Sequence, residues 1–362
     1  MSPQSSTPSH SEEVSAAKQA GLRHVSDASP GLTRLGSPGR FRYRDADGRP
    51  VRERSEHERL RALAIPPAWR DVWICPDPRG HLQATGRDAR GRKQYRYHPA
   101  WQATRHEGKF DRIVEFGKAL PRLRRRLRAN LSLPGFPREK VLSIVVALLG
   151  ETLIRVGNAS YVRENGTYGL TTLRNRHVEF TRSGRARFQF RGKSGQQHDI
   201  VLDDSRLVRL VRHCQQLPGQ LLFQYVDDDG TPVPVDSGEI NAWLHEVMGD
   251  DFTAKDFRTW AATGMAFRQL AQTPLPTPAR RGAIPERAFA FVEKAIVKDV
   301  ADALGNTPAV CRRAYIDPSV FGAWREGRLA AAASSARGAR QWEAATLRFL
   351  ARERARTRKG RR

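Results

Sequence analysis

The chain has 362 residues, with 63 Lys plus Arg against 38 Asp plus Glu, a formal net charge of +25 and an isoelectric point near 11.1. That length leaves room for two domains with cores of their own, and that charge asks for a polyanionic partner, since neutralising phosphates releases their counterions. No apolar run approaches the ~20 residues that span a bilayer, the N-terminus has no apolar signal region, and Cys75, Cys214 and Cys311 are odd in number, scattered and without a CxxC pair, so a cytoplasmic nucleic-acid-binding protein with no membrane contact, disulfide framework or metal site is expected.

Residues 1 to about 25 are rich in Ser and Pro with little apolar periodicity, and a disordered tail is expected there. Residues 26–128 have the pattern of a small β-rich domain. Arg40-Phe41-Arg42-Tyr43-Arg44 is a basic strand entering a turn at Asp45-Ala46-Asp47-Gly48, Trp69, Trp73 and Ile74 follow Pro66-Pro67, and Arg87 to Arg92 is a charged loop. In Lys93-Gln94-Tyr95-Arg96-Tyr97 the alternation puts both tyrosines on one strand face. Tyrosines among cations can stack on nucleic acid, but aromatic strand residues are also ordinary core. From Phe110 the spacing of Ile113, Val114, Leu120, Leu123, Leu127 and Leu131 predicts helix, interrupted or restarted at Pro121 and ended by Pro134-Gly135-Phe136-Pro137.

A second domain is expected over 129–335. It opens with a helix from Arg138 to Arg155, on which Val141, Ile144, Val145, Leu148 and Leu149 form one apolar stripe. Strands are expected at Gly169 to Leu173, His177 to Phe180, Arg185 to Arg191 and Gln197 to Leu202, with Gly192-Lys193-Ser194-Gly195 at a hairpin tip. Lys193 stands out in a chain with ten lysines against 53 arginines. Arginine keeps its proton near neutral pH, whereas a lysine among other cations can release one, as a general acid must. The plain alternative is a solvated turn lysine. Asp236-Ser237-Gly238-Glu239 and Thr253-Ala254-Lys255-Asp256 are capping boxes, the second opening a helix that carries Arg258. A loop over Pro274 to Pro285 and a helix from Ala288 to Leu304 follow. Thr307-Pro308 is then an N-cap with proline at the first helical position, which carries Tyr315 about two turns along and leaves Asn306 in the preceding turn. Residues 336–362 are expected to form a helix marked by Trp342, Ala345 and Phe349 and a disordered basic tail.

Six stretches recur in a known order: Ile65-Pro66-Pro67-Ala68-Trp69, Lys93 to Tyr97, Ile154-Arg155-Val156-Gly157 running to Tyr168-Gly169-Leu170, Gly192-Lys193, Lys255-Asp256-Phe257-Arg258-Thr259, and Leu304 to Asp317. In these, over roughly residues 30 to 320, the chain resembles the type IB DNA topoisomerases, in particular the small bacterial and poxvirus-like branch. The resemblance implies an α+β fold, with a small N-terminal β-rich domain and a larger, mainly helical catalytic domain containing a small sheet, as in tyrosine recombinases and type IB topoisomerases. It implies Tyr315 as the nucleophile that forms a 3′-phosphotyrosyl bond, Arg155 and Arg258 on the non-bridging oxygens, and Lys193 as general acid. Asn306 stands where viral and eukaryotic members have histidine, so an uncharged amide would serve as donor there. Lys93, Gln94, Tyr95 and Tyr97, with Tyr161 and Arg163, would contact DNA. Double-stranded DNA as partner, a monomeric, nucleoid-associated protein, and no metal or small-molecule cofactor are implied with them. Two other readings stay open on sequence: a tyrosine recombinase, which usually carries His-x-x-Arg where this chain has Lys255-x-x-Arg258, and a basic DNA-binding protein without enzymatic activity.

Overall fold

In the computed structural model, residues 10–89, 91–227, 229–249, 252–277 and 284–360 are described. The chain divides into two compact units between Lys109 and Phe110. That division falls inside a helix, some twenty residues before the boundary expected after residue 128.

The N-terminal unit begins with α1 (His10–Gln19) and continues through β1 (Leu32–Leu35), β2 (Arg42–Arg44), α2 (Arg54–Ala62), β3 (Arg70–Ile74), β4 (Leu82–Arg87) and β5 (Lys93–Tyr97). The five strands form one antiparallel sheet in the order β2-β1-β3-β4-β5, over a core of Leu32, Leu60, Val72, Ile74 and Ala84. β5 is therefore an edge strand, paired to β4 from Leu82↔Tyr97 to Arg87↔Lys93. The tail expected to be disordered over 1–25 is helical from His10: Ala17 is buried with Leu22 and Trp101. That small cluster, with Ala20, Tyr97 and Ala100 packed on it, gives a place in the unit to a helix whose own sequence has almost no apolar stripe. Residues 1–9 of that expectation lie outside the described residues.

Next, α3 (Pro99–Asn130) runs without interruption through Pro121. The expected break does not occur because Ile113, Val114, Phe116, Leu120 and Leu123 are all buried along it. Burying that stripe outweighs the ~3 kcal/mol that an internal proline costs a helix.

The C-terminal unit continues with α4 (Arg138–Thr152), α5 (Ala159–Asn165), β6 (Val178–Phe180), β7 (Ala186–Arg191), β8 (Gln197–Leu202) and α6 (Ser205–Gln216). There follow β9 (Gln224–Val226), β10 (Pro232–Pro234), α7 (Ser237–Met248), α8 (Ala254–Gln272), α9 (Glu286–Leu304), α10 (Pro308–Ala314), α11 (Ser319–Arg325), α12 (Leu329–Ala333) and α13 (Ala339–Gly360). α4 is buried on most of its circumference and forms the centre of this unit's core, with α8, α6 and α7 against it. The capping box of α7 is made as expected, Glu239 N–H donating to Asp236, and at the start of α8 the Asp256 carboxylate accepts from the N–H and hydroxyl of Thr253.

Three expectations about this unit are corrected. α4 stops at Thr152 rather than Arg155, because Leu153 turns into the left-handed region at φ 55°. Gly169 to Leu173 is not a strand: Leu170–Thr172 is a 3₁₀ turn whose amides bond back to the segment after α4. The basic tail is helical through Gly360 as the end of α13, where Phe349 and Leu350 hold its upstream turns in the core. No described helix is long and apolar enough to cross a membrane.

Candidate active site

The segment around Tyr315 is fixed from both ends. α9 closes with Gly305 at φ +58°, its N–H donating to Asp302 and the N–H of Asn306 to Ala301, a six-to-one turn that a residue with a Cβ adopts poorly. Thr307 then caps α10 by accepting from the Val310 N–H, and Pro308 takes the first helical position. Two turns later Tyr315 is the C-terminal cap. The Thr263 hydroxyl of α8 donates to the Tyr315 carbonyl at 3.1 Å and accepts from the Asp317 N–H at 3.1 Å. Asp317 is fully buried and pairs with Arg354 of α13. The phenol therefore projects from a backbone anchored to α8 and α13.

Two guanidinium groups face it. Arg258, on α8 and 3% exposed, places its guanidinium carbon 5.4 Å from the centre of the Tyr315 ring. It donates to the Leu153 carbonyl at the end of α4 and to the Leu304 carbonyl at the end of α9, 2.6 Å away in the second case. Arg155 sits in an extended segment after α4. The amides of Leu170 and Thr171 hold its backbone by donating to the carbonyls of Arg155 and Val156 at 2.9 and 2.7 Å. Gly169 makes that approach possible, since a Cβ there would lie 2.6 Å from the Arg155 carbonyl oxygen.

The Arg155 Nη2 donates to Asn306 Oδ1 at 2.5 Å. That bond fixes the amide's orientation, because only its oxygen can face a guanidinium. The Asn306 Nδ2 is left buried with no hydrogen-bond partner among the described residues. Buried donors are nearly always satisfied in resting proteins, so this one is left available to an acceptor that enters the site.

Among the described residues, no carboxylate pairs with either arginine. Burial, and then the neighbouring Arg155, push the Arg258 guanidinium down to about 10. For Tyr315, burial alone would raise the phenol's pKa, but Arg258 and Arg155, a hydrogen bond from Arg258 and the charge of Lys255 outweigh it and lower it. An anion among these groups would meet one buried and one partly buried guanidinium with no carboxylate competing among the described residues, and the phenol beside them is easier to ionise than free tyrosine.

Lys193 is exposed at the tip of the β7–β8 hairpin, where Ser194 adopts φ 64°. Of the five expected residues, four, Tyr315, Arg155, Arg258 and Asn306, come together directly. Sequence reasoning missed Thr263, a polar residue fully buried in a helix, and His198, whose ring lies against Gly192 and Gly305. It also missed Leu153, whose strained carbonyl receives Arg258. The close approach of Gly157 to Gly169 is visible only in the structure.

The expected DNA contacts fall in two places. Tyr161 and Arg163 are exposed on α5, which Asn158 caps by accepting from the Ser160 N–H. In the N-terminal unit, Tyr95 is 47% exposed on β5 and stacks on Tyr97 with centroids 6.0 Å apart. Lys93 beside it pairs with Asp27 at 2.5 Å, and Gln94 donates to Asp88. Both tyrosines share a face as the alternation predicts. The three cysteines are buried, and burial pushes Cys214 up to about 12 and Cys311 up to about 11, so both are neutral thiols. Among the described residues no three His, Cys, Asp or Glu side chains are grouped as metal ligands.

Residues 98–320 match the family model described as eukaryotic DNA topoisomerase I, catalytic core, and residues 40–88 match that of the bacterial DNA topoisomerase IB N-terminal domain. The chain is 33% identical over 293 residues to DNA topoisomerase 1B of Acanthamoeba polyphaga mimivirus, covering 79% of this chain and 85% of the relative. It is also 24% identical over 277 residues to DNA topoisomerase I of Monkeypox virus and to DNA topoisomerase 1B of Vaccinia virus (strain Western Reserve), covering 73% of this chain and 81% of each relative.

Proposed function

The chain belongs to the type IB DNA topoisomerases, and from that premise we propose that Tyr315 cuts and rejoins one strand of duplex DNA by reversible transesterification. The Tyr315 Oη forms a bond to phosphorus as the bond from phosphorus to the 5′ oxygen breaks, leaving a 3′-phosphotyrosyl link. The phenol's proton goes to solvent, and the Lys193 Nζ gives a proton to the departing 5′ oxygen. Rejoining runs the same steps backward. Because one phosphodiester replaces another in energy content, neither ATP nor water is consumed, and supercoils of either sign escape while the free end turns about the intact strand.

Arg155 and Arg258 hold the non-bridging oxygens, and the Asn306 Nδ2 donates a third, uncharged contact where charge builds up. The observation that carries this reading is the pair of guanidiniums beside the phenol, with no carboxylate partner among the described residues. Lys93, Gln94, Tyr95 and Tyr97 on one unit and Tyr161 and Arg163 on the other supply contacts to the duplex, and a monomer suffices because one chain carries every reacting group.

End-labelled duplex mixed with protein and run on a denaturing gel tests the assignment. Wild type should leave a covalent adduct, whereas Tyr315→Phe should bind DNA and leave none. Adduct formation by Tyr315→Phe at the wild-type level would move the nucleophile elsewhere.

A further inference from the structure

The imidazole of His198 lies where two parts of the site meet. His198 is on β8, opposite Phe190 of β7 in the strand register, and its ring stacks on the buried Phe190 ring with centroids 4.9 Å apart and planes 17° apart. Two glycines touch the ring's edges. A Cβ on Gly192 would lie 2.4 Å from His198 Cδ2 and Nε2, and a Cβ on Gly305 would lie 2.4 Å from Cε1.

Gly305 has a conformational reason to be glycine, but Gly192, with φ −95° and ψ −168°, does not. Any L-residue adopts that backbone, so what Gly192 provides is space, and the group filling the space is the His198 ring. Gly192 precedes Lys193, and Gly305 precedes Asn306. We infer that His198 is a positioning residue whose ring, seated on Phe190, sets the spacing between the Lys193 hairpin tip and the Asn306 turn.

A neutral spacer suits this place. Burial first, then the charges of Arg155 and Arg258, lower the His198 pKa, so the ring adds no third cation beside the two guanidiniums. The Lys193 side chain is exposed and makes no ion pair among the described residues, and the contact of His198 with its neighbour Gly192 gives the hairpin tip a fixed stop. The inference rests on Lys193 being the general acid.

Single-turnover cleavage on ordinary DNA, and on DNA with sulfur in place of the bridging 5′ oxygen, separates positioning of the acid from general damage, because a thiolate leaves without being protonated. Lys193→Ala is the reference and should be slow on ordinary DNA and largely restored by sulfur. His198→Ala should be slowed on the order of 10- to 100-fold on ordinary DNA and restored by sulfur in the same way. Gly192→Ala, whose methyl group pushes the ring aside, should behave likewise, and it should cost little more once His198 is already alanine. The Gly192→Ala variant also serves if His198→Ala fails to fold. Restoration of Lys193→Ala but not of His198→Ala or Gly192→Ala would overturn the spacer role, as would independent, multiplicative losses in the double variant. No restoration of Lys193→Ala itself would remove the general-acid reading and the spacer role with it.

Discussion

Asn306 is the residue whose neighbours say most about its work. Its oxygen is committed to Arg155 and its Nδ2 has no partner among the described residues, so Asn306→Asp keeps the first contact, loses the second and sets an anion where the proposed mechanism puts the phosphate. Cleavage by Asn306→Asp should fall by about 10²- to 10³-fold, the loss typical of a missing oxyanion donor, with little change in melting temperature. Asn306→His keeps a donor and should retain substantial cleavage; an active Asp variant beside an inactive His variant would make Asn306 only a turn residue. Tyr315 gives a pH prediction of definite sign. Arg258 and Arg155 hold its pKa below the usual tyrosine value against the opposing effect of burial, so the rise of cleavage rate with pH should have its midpoint below about 10. Arg155→Gln should move that midpoint upward as well as slowing the reaction. An unshifted profile would mean that Arg155 acts on the phosphate alone.

At the level of elements, local signals specified helix starts and hairpins well. Thr307-Pro308 begins α10, the Asp236 box begins α7, and Gly192 to Gly195 turns β7 into β8, because caps and turns are decided by residues within a few positions. The failures are places where distant packing overrode local preference. Pro121 stays helical over a buried stripe, α1 is held through Ala17, and the expected strand at Gly169 became a 3₁₀ turn that cradles Arg155. For the site, the resemblance supplied the roles, while residue chemistry alone could not choose Arg155 and Arg258 among 53 arginines. What distinguishes them is position, a three-dimensional fact: Arg258 is buried against the Tyr315 ring and Arg155 is bonded to Asn306. The cradle can be tested through Gly169→Ala, whose methyl group would sit 2.6 Å from the Arg155 carbonyl oxygen. It should leave DNA binding near wild type and slow cleavage by roughly 10²-fold, as expected when a reacting group moves by about 1 Å. Weakened binding with normal cleavage at saturation would show that the crossing does not set the position of Arg155.

Across the whole molecule, the net charge of +25 and the small set of buried cations do different jobs. Supercoiled plasmid should be relaxed in EDTA without ATP, since the proposed chemistry uses side chains only; a strict need for Mg²⁺ or nucleotide would contradict it. Binding of duplex should weaken steeply with salt, log affinity falling against log salt with a slope of roughly −0.9 for each phosphate neutralised. Arg258, however, is held by the carbonyls of Leu153 and Leu304, which carry no net charge and do not titrate. Ions in solution can therefore screen the protein's grip on DNA without loosening the aim of that guanidinium. Turnover and strand rotation should thus respond to ionic strength through encounter and release, while the cutting step itself, timed on DNA already bound, should keep nearly the same rate from low to moderate salt.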